Sequence, residues 1–136
     1  MPLITWNDAL SVGVASIDAE HQELVGLLNA FYDAMQAEKG NGVLGNTLDA
    51  LIEYTKFHFA NEELLFAKTG YPDAVGHKKE HDALTQQVLE VQRKYKAGET
   101  AALSLEVVNF LKKWLVTHIQ GTDKKYSPHL VSHGVR

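Results

Sequence analysis

His58 and Glu62, His77 and His81, and His118 each stand where a helical repeat of apolar residues requires a hydrophobic side chain. Ionisable groups that break an otherwise regular apolar pattern tend to mark function. His21 joins them, because it precedes Val25 and Leu28 by four and seven residues and so lies on their side of a helix. Burying the Glu62 carboxylate as a bare anion would be costly, and imidazoles in apolar surroundings would lack partners. No lysine or arginine on these stripes stands near them, so a salt-bridge network is a poor answer. A metal cation answers directly, since it takes neutral imidazole and anionic carboxylate as ligands and leaves neither unpaired. One histidine on an apolar stripe is ordinarily a hydrogen-bonded core residue; five that converge with a carboxylate are better read as ligands.

Asp123 is the remaining candidate, five residues after His118. An ideal helix rotates it roughly 140° off the histidine's face. Gly121, between the two, permits the turn to unwind or bulge and so to return the carboxylate. Spacing leaves both placements open. With Asp123 included, the ligands are too many for one tetrahedral zinc and too rich in nitrogen for a calcium or magnesium cage. Two ions sharing bridging carboxylates fit better, at the separation of about 3.5–4 Å usual for paired metals. Imidazole with carboxylate suits iron, although ligand type alone does not separate iron from manganese or zinc. Two divalent ions bring about four positive charges, of which two carboxylates and a hydroxide cancel about three. Such a cationic, histidine-rich core resists very high oxidation states, which favours holding oxygen over activating it. With each carboxylate and the hydroxide counted as bridges, two octahedra keep one open position.

These side chains need elements to bring them together. Leu24, Val25, Leu28, Phe31 and Met35 recur at three-and-four spacing after Asp18, which can cap a helix ending at Gly40-Asn41-Gly42. Leu44, Leu48, Leu51, Thr55, His58, Glu62 and Leu65 form a second stripe, broken by Thr69-Gly70-Tyr71-Pro72. His77, His81, Leu84, Val88, Val91 and Tyr95 form a third, closed by Gly98, and Leu103, Val107, Leu111, Trp114 and His118 a fourth. The spacing predicts helices over about 18–38, 43–67, 73–97 and 101–120. An N-terminal arm, residues 1–17 with Trp6 as an anchor, precedes them, and a C-terminal segment and polar tail, 121–136, follows. Short connections make sequential helices antiparallel neighbours, so the fold class is an all-α, antiparallel up-down-up-down four-helix bundle. His21 then lies near the start of the first helix, His58 and Glu62 near the end of the second, His77 and His81 near the start of the third, and His118 near the end of the fourth. All are at one end of the bundle.

Composition excludes several other classes. The 136 residues suit a single domain, and 45% hydrophobic with 22% charged residues is a globular balance. A net charge of −4 with no basic run opposes binding to nucleic acid. The absence of cysteine removes disulfides, zinc-thiolate sites and thiolate-held clusters. With no signal-like N-terminus and no run of apolar residues long enough to span a bilayer, the chain reads as cytoplasmic, without a membrane span, and as a monomer. His129 and His133 stand four apart after Pro128, without a nearby carboxylate, and read as solvent-exposed tail residues.

The motifs resemble those of the hemerythrins, in particular the bacteriohemerythrins: Ile17-Asp18-Ala19-Glu20-His21, His58-Phe59-Ala60-Asn61-Glu62, His77-Lys78-Lys79-Glu80-His81, and His118-Ile119-Gln120-Gly121-Thr122-Asp123. Together they span nearly the whole chain, and their order and spacing are specific. The resemblance implies that His77, His81 and His118 hold one iron and His21 and His58 the other, with Glu62, Asp123 and an oxo or hydroxo group as bridges. It implies reversible binding of molecular oxygen at the two-histidine iron, for carriage, storage or delivery to an oxygen-consuming enzyme as partner, and no enzymatic activity. Leu24, Phe59, Trp114, Leu115 and Ile119 lie within a turn of the ligands and form the expected apolar oxygen pocket. Other functions for the same ligands are a di-iron oxidase or peroxidase, a nitric oxide-handling enzyme, or a sensor acting through a partner. The stripes supply no additional acid or base beside the open position, which favours oxygen binding.

Overall fold

The computed structural model describes residues 4–36, 41–98 and 105–135. Four helices carry the bundle: α1 (Ala15–Gln36), α2 (Asn41–Thr69), α3 (Ala74–Lys96) and α4 (Leu105–Thr117). Among the described residues there is no strand, and the architecture is the all-α bundle expected. Phe31 on α1, Leu48 and Ile52 on α2, Val88 on α3 and Val108 on α4, each on the apolar stripe of its helix or beside it, are buried in one core. On α2 the stripe ends on Phe66 rather than Leu65, which is only half-buried.

Helix boundaries differ from expectation in ways that local chemistry explains. The first helix begins at Ala15, not Asp18. Asp18 accepts hydrogen bonds from Ser11 Oγ at 2.6 Å and from the Val12 N–H at 2.8 Å, so its carboxylate ties the arm to the first turn instead of capping it. Asn29 adds a second tie, accepting from the Ile4 N–H and donating to the Ile4 carbonyl. α2 already starts at Asn41, inside the expected turn Gly40-Asn41-Gly42, whose first residue lies outside the described residues. At the other end of α2, Gly70 adopts φ +67 and the Tyr71 N–H reaches back to the Phe66 carbonyl at 3.1 Å. This left-handed closure favours glycine. The expected start of the fourth helix at 101, with Leu103, lies outside the described residues.

The largest departure is C-terminal. Past Thr117 the chain forms one π-helical turn (His118–Thr122), a 3-10 turn (Asp123–Tyr126) and a short helix, α5 (Ser127–Ser132). The expected polar tail is thus folded back, with Tyr126 and Leu130 fully buried. His129 is only half-exposed and hydrogen-bonds the Thr69 carbonyl through Nε2 at 2.8 Å, correcting its reading as a free tail residue. His133 is exposed as expected.

Candidate metal centre

His21 projects from the start of α1, His58 and Glu62 from the end of α2, His77 and His81 from the start of α3, and His118 from the first residue past α4. All six, and Asp123, are at most 4% exposed. They meet in one layer. Asp123 reaches it because the Asp123 N–H donates to the His118 carbonyl, five residues back, which is the hydrogen bond of a π-turn. The extra residue in that turn swings the carboxylate to the histidine's face, with Asp123 Oδ1 2.9 Å from His118 Nε2. Gly121 is not required for this: a Cβ there would meet nothing within 4 Å, and it is not among the positive-φ glycines.

The Nε2 atoms converge on two carboxylates. Asp123 Oδ1 lies 2.8 Å from His77 Nε2, and Asp123 Oδ2 lies 3.1 Å from His21 Nε2. Glu62 Oε1 lies 3.2 Å from His81 Nε2 and 3.3 Å from His58 Nε2. Ligands at right angles on a first-row ion, about 2.1 Å from it, are about 3 Å apart, so the spacing is that of a coordination shell. The Nε2 atoms of His21, His77, His81 and His118, Glu62 Oε1 and both Asp123 oxygens are buried without a hydrogen-bond partner. Native proteins rarely leave buried polar atoms in that condition. The donor atoms sort into two groups able to hold a cation, one of Glu62, His77, His81, His118 and Asp123 and one of His21, His58, Glu62 and Asp123. Both carboxylates belong to both groups.

Behind the layer stands a ring of glutamates that reading by stripes missed. Glu20 Oε1 lies 2.7 Å from His58 Nδ1, Glu63 Oε2 3.0 Å from His81 Nδ1, and Glu80 Oε1 3.3 Å from His118 Nδ1. Each acceptor fixes the proton on Nδ1 and turns Nε2 inward as the free donor. Asn61 and Thr122 donate to Glu20 and Glu80 and hold them in place. All three glutamates adjoin a ligand in sequence, at His21, Glu62 and His81, which was the available signal. Tyr126 was missed as well: its hydroxyl donates to Glu62 Oε2 at 2.5 Å.

At His58, Glu62 and Asp123 burial opposes charge, and oppositely charged neighbours override it. For His58, burial lowers basicity, but the Glu62 charge and hydrogen bonds to Glu20 and Glu62 raise it to about 10. Burial pushes Glu62 and Asp123 up, as does Asp123 for Glu62, yet the surrounding imidazoles hold both carboxyls below their ordinary values. Burial, then the charges of Glu62 and Asp123, lift Tyr126 well above the usual phenol, so it keeps its proton and remains a donor. A bound cation would take the place of the protons that otherwise balance these carboxylates.

Phe59 stacks on His81 at 3.8 Å between ring centres and Trp114 on His118 at 4.3 Å. Leu24, Phe59, Trp114 and Leu115 line one cavity, whereas Ile119, fully buried, lines the core beside it.

A helical bundle whose interior converges imidazoles and carboxylates on paired cation sites defines a histidine-rich, non-heme metal protein. The chain belongs to the hemerythrin family: the family model for the hemerythrin HHE cation binding domain matches residues 12–130. It is 39% identical over 132 residues to a bacteriohemerythrin of Methylococcus capsulatus (strain Bath), covering 96% of this chain and 98% of that one. It is 34% identical over 133 residues to a bacteriohemerythrin of Stenotrophomonas maltophilia, covering 98% of this chain and 85% of that one. A crystal structure of wild-type hemerythrin superposes with a TM-score of 0.88 at 37% identity, covering 94% of this chain and 98% of that chain. Family membership implies non-heme iron, and the donor set fits it. Among the described residues, no helix is long and apolar enough to cross a membrane.

Proposed function

We propose that this chain binds molecular oxygen reversibly at a pair of non-heme irons, and that it acts as a carrier, store or local supplier of oxygen rather than as an enzyme. His77, His81 and His118 hold one iron, His21 and His58 the other, and Glu62 and Asp123 span both. The observation that carries this reading is the sharing of two buried carboxylates between a three-histidine and a two-histidine group, which leaves the second group short of a ligand. When bound, the irons supply the electrons that hold dioxygen and that return on its release.

The chain's own residues make that exchange reversible. Glu20, Glu63 and Glu80 hold three imidazoles in one tautomer and one orientation. Tyr126 occupies a lone pair of Glu62 and, with its proton held firmly, does not act as a free acid beside the centre. Leu24, Phe59, Trp114, Leu115 and Ile119 keep water out, and exclusion of water suppresses proton leakage to a reactive site. Leu115→Ala opens that wall and is expected to speed the loss of the oxygenated form, measured as its decay in air; an unchanged rate would remove Leu115 from the wall.

The optical spectrum of the reduced protein, followed through repeated cycles of air and inert gas with metal analysis of the same sample, tests the function. A charge-transfer band that appears and disappears reversibly, with two irons per chain, is expected. Rapid bleaching with release of peroxide would instead make the protein an oxidase.

A further inference from the structure

The interior of the bundle away from the metal layer holds an apolar cavity of about 50 Å³. Its lining on α2 runs from Phe59, against the metal layer, to Leu48, eleven residues and about 16 Å along the helix axis. The space therefore leads away from the metal ligands into the middle of the bundle, between Leu28, Leu51, Leu84, Val88 and Leu111.

We propose that this cavity is a second binding site, for a small apolar gas, and that its occupant is dioxygen held without any bond to metal. The assignment of dioxygen rests on the oxygen-binding reading above; the assignment of an apolar gas rests on the cavity alone. Among the described lining residues, all aliphatic or aromatic apart from Thr55, the only side-chain polar groups are the Thr55 hydroxyl and the Trp114 indole N–H. The Thr55 hydroxyl is already donated to the Leu51 carbonyl at 2.7 Å. Trp114 stands at the margin, where it also faces a surface cleft beside Lys113 and Thr117. A buried water requires about two to four polar partners, and cavities without them stay dry even when they exceed the ~10–15 Å³ that one water-sized sphere needs. Apolar molecules move from water into such surroundings favourably. Because Phe59 and Trp114 line this space and stack on the rings of His81 and His118, gas in the chamber lies one side chain from the ligand layer. A molecule released there has a dry place to wait, and recapture competes with escape.

Xenon is the probe, applied under pressure to the iron-loaded, fully oxidised protein in the absence of oxygen, and located by diffraction or by xenon magnetic resonance. One xenon is expected among Leu28, Leu48, Leu51, Val88 and Leu111, and Val88→Phe, which fills that space, is expected to abolish it. The same variant should keep its iron content and its oxidised spectrum while losing the fast recapture phase after flash release of oxygen. If Val88→Phe fails to fold, Val88→Leu reduces the volume with less strain and should weaken xenon binding. Absence of xenon from the wild-type cavity, or ordered water in its place, overturns the proposal. Xenon binding in a protein that does not bind oxygen would support a gas site while overturning the oxygen-binding reading; oxygen binding without xenon binding would do the reverse.

Discussion

The two ends of this bundle are built by the same helices on the same repeat, yet they are filled with opposite materials. At one end, Phe31, Leu48, Ile52 and Val108 meet and bury nothing that needs a partner. At the other, five imidazoles and two carboxylates occupy the equivalent interior positions and leave buried donor and acceptor atoms unsatisfied. The first end is its own compensation, because buried hydrocarbon carries no donor or acceptor to satisfy. The second end is compensated only by what it binds. The repeat therefore sets where side chains go, and the residue types set whether the end is a foundation or a receptacle.

If that division holds, substitutions at the two ends should fail in different ways. Asp123→Ala removes a carboxylate shared by both ligand groups, and its largest effect should be loss of bound iron, seen as a fall in iron per chain, with the helical circular dichroism retained. Leu48→Ala at the other end should cost about 2–5 kcal/mol of stability by leaving a cavity, without changing iron per folded chain. A denaturant midpoint that did not move would contradict the role of that end as foundation. Glu20→Gln keeps the shape but weakens the acceptor at His58 Nδ1, and loss of such a partner typically lowers metal affinity about 10–100-fold. Competition with a chelator measures it, and unchanged affinity would reduce Glu20 to a surface residue.

The smallest contrast is in pH. In the iron-free protein, the raised His58 contributes stability that is fully present below its unfolded value and is lost as pH rises through about 10. The lowered Glu62 and Asp123 contribute stability that is present above the ordinary carboxylate range and is lost as pH falls through their depressed values. Iron-free protein should thus be most stable between the ordinary carboxylate range and the ordinary histidine value of about 6.5, and hydrogen exchange should show the change at the ligand end while amides around Leu48 stay protected. Uniform loss of protection would contradict it.

The four stripes made most of this molecule legible, because a three-and-four repeat fixes both the helix and its inner face. His21, His58, Glu62, His77, His81 and His118 could be placed in one layer from repeat and direction alone. Spacing left Asp123 open, since a regular repeat does not show where a helix bulges; Gly121 allowed such a bulge, and the family resemblance implied that Asp123 is a ligand. The C-terminal segment was misread because Lys124, Lys125, Ser127 and Ser132 dominate its composition, although Tyr126 and Leu130 stand one helical turn apart. Glu20, Glu63 and Glu80 sit off the stripes, and their partners are on other helices, 38, 18 and 38 residues distant. Contacts of that kind exist only after the fold has formed.

Anomalous diffraction at the iron edge tests the central claim most directly. Two iron peaks about 3.5–4 Å apart, one beside His77, His81 and His118 and the other beside His21 and His58, with Glu62 and Asp123 between them, are expected. A single peak, or a signal from another metal in protein loaded with iron and reduced, would contradict the account.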